Sequence, residues 1–240
     1  MKESIILIVI TSMIIIVILV IFFSNKAIIK RKLKNSNYKR IANFKDGEIA
    51  KIVGCIEIIG KPLYSPLSKR ECSHYYVHVE QEKSSGKSST WETIIEEEVT
   101  SRYLIKDGIR YAIINDKKLK SYIVQDAKFS SGFWNDATEN LENYLKSKGE
   151  ESEGFFGFNK TLRFKEGVLE KGEEIAVLGK GNWKDATSLN LPEKYGEVLE
   201  ITSTNEQAIY LSDDTCTTEK ISKPNPSSDK RTITKKRYKK

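Results

Sequence analysis

EIAKIVGCIEII, residues 48–59, decides the fold. Ala50, Ile52, Gly54, Ile56 and Ile58 alternate with Lys51, Val53, Cys55 and Glu57, a period of two that belongs to a half-buried strand. The same signature returns downstream in short runs. GKPL (60–63) breaks the first strand with Gly60 and Pro62, SHYYVHVEQE (73–82) makes a second, and TWETIIEEE (90–98) resumes β character after the polar loop KSSGKSST (83–90). In YLIKDGIRYAII (103–114), Asp107-Gly108 between two apolar runs predicts a two-residue hairpin turn with positive φ at both central positions. KSYIVQDAKFS (120–130) reads as one further strand. TLRFKEGVLEKGEEIAVLGKG (161–181) reads as two strands around a turn at 170–172, and EVLEITSTNEQAIYLS (197–212) as a final hairpin turning near Thr204 and Asn205.

One helix interrupts. NDATENLENYLKSKG (135–149) places Leu141, Tyr144 and Leu145 at i, i+3 and i+4, with Asn135 or Asp136 as cap and Gly149 at the end. Short strands with turn signals every 8–15 residues and a single helix describe a mainly β body, a barrel or a sandwich rather than a βαβ sheet.

Upstream of the body, residues 4–23 read SIILIVITSMIIIVILVIFF without a charge. A helix of that length spans ~30 Å, the thickness of a hydrocarbon core. A cleaved signal peptide has an apolar stretch of about 7–15 residues and a small-x-small cleavage site; this run is longer and FFSNKAIIKRKL follows it. The reading is therefore one N-terminal transmembrane helix, with the helix running on into KAIIKRKLK. Lys26, Lys30, Arg31, Lys32, Lys34, Lys39 and Arg40 follow the run with no acid among residues 24–40, against the cancelling pair Lys2 and Glu3 before it. The positive-inside rule then puts the N-terminus outside and the body in the cytosol of a single-pass cell-membrane protein. Lys26, Lys30, Arg31, Lys32 and Lys34 become candidate contacts for anionic headgroups.

The overall charge of +7 hides an uneven distribution. Residues 41–222 sum to −7, whereas 24–40 and 223–240 each sum to +7. An acidic body lacks the basic face a nucleic-acid reader needs, so no nucleic-acid partner is expected. Bilayer repulsion of the body and attraction of its ends predict a domain standing off the surface on a tether of about 20 residues. The tail PNPSSDKRTITKKRYKK (224–240) is expected to be disordered. The expected division is 1–25 anchor, 26–44 basic juxtamembrane segment, 45–185 β-domain, 186–222 hairpin extension and 223–240 basic tail. Three widely spaced cysteines, Cys55, Cys72 and Cys216, suit a reducing compartment rather than a disulfide framework.

Chemistry-bearing residues are few. Cys72, His74, Tyr76 and His78 share one strand face, but i and i+2 lie ~6.6 Å apart and i and i+4 ~13 Å, too far for His78 to join the first two on one metal. Zinc asks for at least three protein ligands; no metal and no cofactor is expected. Ser73 and His74 point to opposite faces and do not make a nucleophile–base pair. Gly86-Lys87-Ser88 lacks the earlier Gly and the following helix of a phosphate-binding loop. Glu96-Glu97-Glu98 reads as a solvated strand edge. No catalytic residue is assigned.

Pro62-Leu63, Ser65-Pro66-Leu67, Cys72, Tyr75-Tyr76, Trp91, Asp107-Gly108 and the series Glu166, Leu169, Gly172, Val177, Gly179 together resemble the GIDE domain over residues 45–185. That family comprises the membrane-adjacent β-domain of mitochondrial membrane-anchored E3 ubiquitin ligases and bacterial membrane proteins. The resemblance implies a membrane-apposed binding or sensor module with a protein partner, on the mitochondrial outer membrane in a eukaryote. The ligases of the family carry a separate two-zinc RING with eight Cys/His ligands; this chain has five such residues in all. Ligase-type function is therefore the alternative expectation, with the RING missing or supplied by another chain. A membrane-perturbing effector ranks last, because a span whose only polar residues are Thr11 and Ser12 is poor pore material. The expected contact surface is an apolar groove formed by Tyr64, Ser65, Pro66, Tyr76, Trp91 and the loop aromatics Phe155, Phe156 and Phe158. Richness in Lys, Ile, Asn and Ser points to an AT-rich, bacterial genome.

Overall fold

The computed structural model describes residues 2–86, 88–132, 138–152 and 160–221. The chain begins with helices α1 (Lys2–Phe22) and α2 (Asn25–Asn35). Strands β1 (Glu48–Ile58), β2 (Leu63–Tyr64), β3 (Glu71–Cys72), β4 (His74–Ser85), β5 (Ser88–Thr100), β6 (Tyr103–Asp107), β7 (Arg110–Ile114), β8 (Leu119–Tyr122) and β9 (Ala127–Ser131) follow. Helix α3 (Glu139–Ser147) precedes β10 (Leu162–Leu169), β11 (Glu174–Asp185), β12 (Glu197–Thr202) and β13 (Ile209–Ser212).

Strands β1, β6, β7, β12 and β11 close into a five-stranded mixed barrel, with β11 returning to β1. All neighbours are antiparallel except β7 and β12. Residues that alternate in sequence alternate between inside and outside: Ala50, Ile52 and Ile56 meet Ile105, Ala112, Ile175, Val177, Leu199 and Ile201 in the interior. So narrow a barrel leaves no room for some side chains. A Cβ on Gly54 would stand 2.6 Å from the Lys106 carbonyl oxygen, and one on Gly181 would stand 2.5 Å from the Phe44 ring. Phe44 and Ile41 pack into the interior from the segment before β1.

The second layer is a four-stranded sheet, β5-β4-β10-β9. Its two faces follow the parity of β4. Val77 and Val79 turn to α3, where Leu141, Tyr144 and Leu145 cover them together with Phe164 and Leu162. Tyr76 turns the other way and packs against the barrel core. The strands β10 and β11 do not pair; the turn at 170–172, with Gly172 at φ 86°, passes the chain from sheet to barrel.

Several elements depart from the sequence reading. The run 120–130 is two strands in different sheets, β8 beside β13 and β9 beside β10, separated where the Val124 N–H donates to Asp213 at 2.9 Å. β12 and β13 are not a hairpin: they lie one after the other along the same strand, β12 on Lys180–Asp185 and β13 on Ala176–Leu178. β12 closes the barrel, so the expected extension 186–222 is part of the body. In the β6–β7 turn, Asp107 pairs with Arg110 and the loop is Gly108-Ile109; Gly108 (φ 63°) takes positive φ and Ile109 does not. Asp107 is freed to accept the Ile41 N–H at 3.0 Å. The caps expected at Asn135 and Asp136, the Phe155, Phe156 and Phe158 loop and the tail 223–240 lie outside the described residues.

At the N-terminus, Ile6–Phe22 and Asn25–Asn35 form a pair bent by 58° that together has the length and apolar composition of a membrane span. No single helix among the described residues passes that test, and a signal sequence passes it as well as an anchor does. The helix does not run straight on. Phe23 and Ser24 break it, and Ser24 caps α2 by accepting the Ala27 N–H at 3.3 Å.

Candidate functional site

Helix α2 lies on the outer face of the barrel. Ile29 and Leu33, one turn apart, are 1% and 0% exposed against Val53, Ala176, Leu178 and Tyr210. These outward positions of β1, β11 and β13 read as a solvated face in the alternating pattern; α2 and the C-terminal segment cover them, which is why β1 is buried on both sides. Lys51, also outward, is 2% exposed and donates to the carbonyls of Thr217 and Glu219 at 2.9 and 2.8 Å. Of the tether expected between anchor and body, only Phe23 and Ser24 separate the apolar helix from the docked one.

Docking gives the basic side chains defined positions. Lys30 pairs with Asp214 at 2.8 Å, so its charge is directed to the protein rather than outward. Lys26 stands over the Tyr122 ring at 4.6 Å and Lys32 over the Tyr210 ring at 6.0 Å. Arg31 folds back on the end of α1, 4.3 Å from the Phe22 ring centre, and donates to the Phe22 carbonyl at 3.3 Å. Lys34 is exposed beside Asn35, Cys216 and Ile221.

A cleft of about 440 Å³ opens where α2 begins. One wall is α2 and β8, with Asn25, Lys26, Ile29, Lys120 and Tyr122; the other is β4 and β5, with Tyr76, His78, Glu96 and Glu98. Ser121 on β8 donates to Glu98 and joins the walls. Glu98 also accepts His74 Nε2 at 2.7 Å. Burial pushes the Glu98 carboxyl up, but the hydrogen bonds from His74 and Ser121 outweigh it and hold the group below the usual carboxylate range. The Tyr76 hydroxyl donates to Glu96 at 2.8 Å; burial first, and this bond second, push its pKa upward. Glu97, of opposite parity, turns to the other face and accepts Tyr144 and Lys148 at 2.8 and 2.6 Å. The acidic run expected to be one solvated edge thus serves both faces of β5.

Of the expected groove residues, Tyr76 alone among the described ones lines this cleft. Trp91 stands opposite Glu82, six residues along β4 from Tyr76, about 20 Å at strand rise. The Arg163 guanidinium lies over its ring at 4.1 Å, and the same Arg pairs with Glu80, which Lys165 also meets at 2.8 Å. Tyr64 is exposed on the β2–β3 hairpin. Ser65 is buried and Pro66 half-buried in the loop beyond it. Glu166 holds that loop in place: fully buried on β10, it accepts the N–H groups of Leu67 and Ser68 at 2.9 and 3.1 Å. Such a carboxylate is a fixed partner for a tight loop, a role without any local signature around residue 166.

The Cys72 and His74 region carries structure. Cys72 is fully buried, and its thiol is pushed up to about 11, first by burial and then by Glu166. His74 and Ser121 both direct their hydrogen bonds to Glu98 rather than to each other. Among the described residues no group of three or more His, Cys, Asp or Glu is arranged to hold a metal ion. Comparison of the chain with protein-family models, with curated proteins and with solved structures returns no match.

Proposed function

We propose that this chain is a single-pass membrane protein whose cytosolic β-body acts as a binding or sensor module, of the GIDE type, and performs no chemistry by itself. One observation supports the reading most. A helix docked on the barrel follows an apolar helix after two residues, so the folded body with its open cleft is joined directly to the apolar segment. A domain that only needed tethering would not bury two side chains of its juxtamembrane segment. The order of Pro62, Cys72, Tyr76, Glu166 and Gly179 supports the GIDE resemblance, and Glu166 and Cys72 are both fully buried at the sheet.

Membrane extraction tests the anchor. The full chain should stay in the pellet through alkaline carbonate and leave it only with detergent; recovery of a chain lacking residues 1–24 from the aqueous fraction would overturn the reading. The GIDE assignment is tested separately, by solving a GIDE domain: it should share the closed five-strand order with one parallel pair. A different strand order would separate the two.

A further inference from the structure

The cleft beside α2 has walls of opposite sign. On the α2 and β8 side stand Lys26 and Lys120, with Asn25 and Lys26 at the first turn of α2, the positive end of that helix. On the β4 and β5 side stand Glu96 and Glu98 beside the Tyr76 hydroxyl. The hydrogen bond from Ser121 to Glu98 fixes one wall against the other, so the two charge sets face each other across a preformed space. A bare phosphate placed among these groups would meet two carboxylates, and a simple amine would meet two ammonium groups. A ligand carrying both charges leaves neither wall opposed.

We propose that this cleft binds a phosphate–ammonium zwitterion of the phosphoethanolamine class, its phosphate toward Lys26, Lys120 and the start of α2 and its ammonium toward Glu96 and Glu98. A volume of about 440 Å³ lies within the range of small-ligand pockets. The side chain of Glu98 is 41% exposed, so the carboxylate is in reach from the cleft while His74 and Ser121 orient it. The Tyr122 ring, which already carries Lys26, adds an aromatic face to the basic wall. The same chemistry is presented by a lipid headgroup and by a soluble phosphodiester. The lipid source rests on the membrane anchoring proposed for α1, because the cleft begins two residues after Phe23.

The test uses the full chain in a neutral detergent, titrated calorimetrically with glycerophosphoethanolamine, glycerophosphate and ethanolamine. The zwitterion should bind saturably and at least about tenfold more tightly than either half, and Lys120→Gln and Glu96→Gln should each weaken it about tenfold. Both positions are exposed, so both variants keep the fold, which circular dichroism checks. Equal binding of glycerophosphate or ethanolamine, or binding untouched by both substitutions, would overturn the proposal. A second arm places the chain in nanodiscs with equal phosphatidylethanolamine and phosphatidylglycerol and identifies co-released lipid by native mass spectrometry. Phosphatidylethanolamine retained by the parent chain and lost in Glu96→Gln identifies the lipid as the source. Binding of the soluble zwitterion without lipid retention identifies a soluble one, and failure of both arms overturns the site. A chain that survives carbonate extraction but fails both arms overturns the cleft alone; one that binds the soluble zwitterion but leaves the membrane overturns the anchor alone.

Discussion

Lys30 on α2 and Asp214 on the C-terminal segment, 184 positions apart, meet at 2.8 Å. The pair ties the first element of the body to its last described segment, and each partner favours the other's charged form: the hydrogen bond that Lys30 donates to Asp214 raises the Lys30 pKa, while for Asp214 burial is outweighed by bonds from Cys216 and Lys30 that lower it. A double-mutant cycle with Lys30→Ala and Asp214→Ala should return a coupling of about 1 kcal/mol, falling as salt is added, as for other partly exposed ion pairs. Denaturant unfolding of the full chain in detergent measures it; a coupling of zero would mean that apolar contact alone seats α2.

Apolar contact should contribute more than this ion pair. Leu33→Ala removes a fully buried side chain from the α2 seat and should destabilise by about 2–5 kcal/mol. Limited proteolysis between α2 and β1 should accelerate in the same variant. Unchanged stability would show that the helix is not docked in solution.

Asp213 gives the protein a pH dependence of unusual sign. Burial, followed by the charge of Glu173, raises its pKa from 3.8 to about 7. A group whose folded pKa lies above its unfolded one contributes stability fully below the unfolded pKa and loses it as pH rises through the folded one. Stability from this site is therefore lost between about pH 4 and about pH 7. Asp213→Asn, which keeps an acceptor for Val124, should remove that decline; a difference curve flat from pH 4 to 7 would refute the assignment.

Glu80 acts in the opposite direction. The Arg163 hydrogen bond, aided by Lys165, lowers its pKa to about 2 against the opposing effect of burial. Its contribution is present above the ordinary value of 4.5 and lost as pH falls toward 2. Glu80→Gln should lower the unfolding midpoint at pH 7 and converge with the parent near pH 2. Because Arg163 stacks on Trp91, the indole emission should shift in the same variant.

The three thiols should report topology and folding separately. Cys55 is exposed, Cys72 buried and Cys216 half-buried. In intact cells an impermeant maleimide should label none of them. In opened cells Cys55 should react first and Cys72 only after unfolding, its thiol being both covered and held at about 11. Labelling of Cys55 from outside would invert the orientation.

The β body is legible because Ala50, Ile52 and Ile56 recur on one face of β1, and α3 because Leu141, Tyr144 and Leu145 fall on one helical face. Relationships without a local trace are not. A parallel strand pair such as β7–β12 leaves no turn between its members, so the chain order of β12 and β13 suggests a hairpin that topology denies. Ile29 and Leu33 sit among cations, and a short apolar pair inside a basic run reads as a membrane-surface segment until a surface for it exists. The cleft draws on separated stretches of the chain, and of its lining only Tyr76 and Lys26 stand out in the sequence as binding candidates. Lys26 reads there as a lipid contact, and Tyr76 as a neighbour of Trp91 and Tyr64, although the β4 register keeps Tyr76 and Trp91 apart.

Seating α2 on the barrel turns the N-terminal helix from a leash into a crank. Each residue added to or removed from α1 would rotate everything beyond it by about 100° and move it by about 1.5 Å along the axis. Length changes in the apolar run therefore turn and shift the body relative to the first residues of α1, with a period of about 3.6 residues.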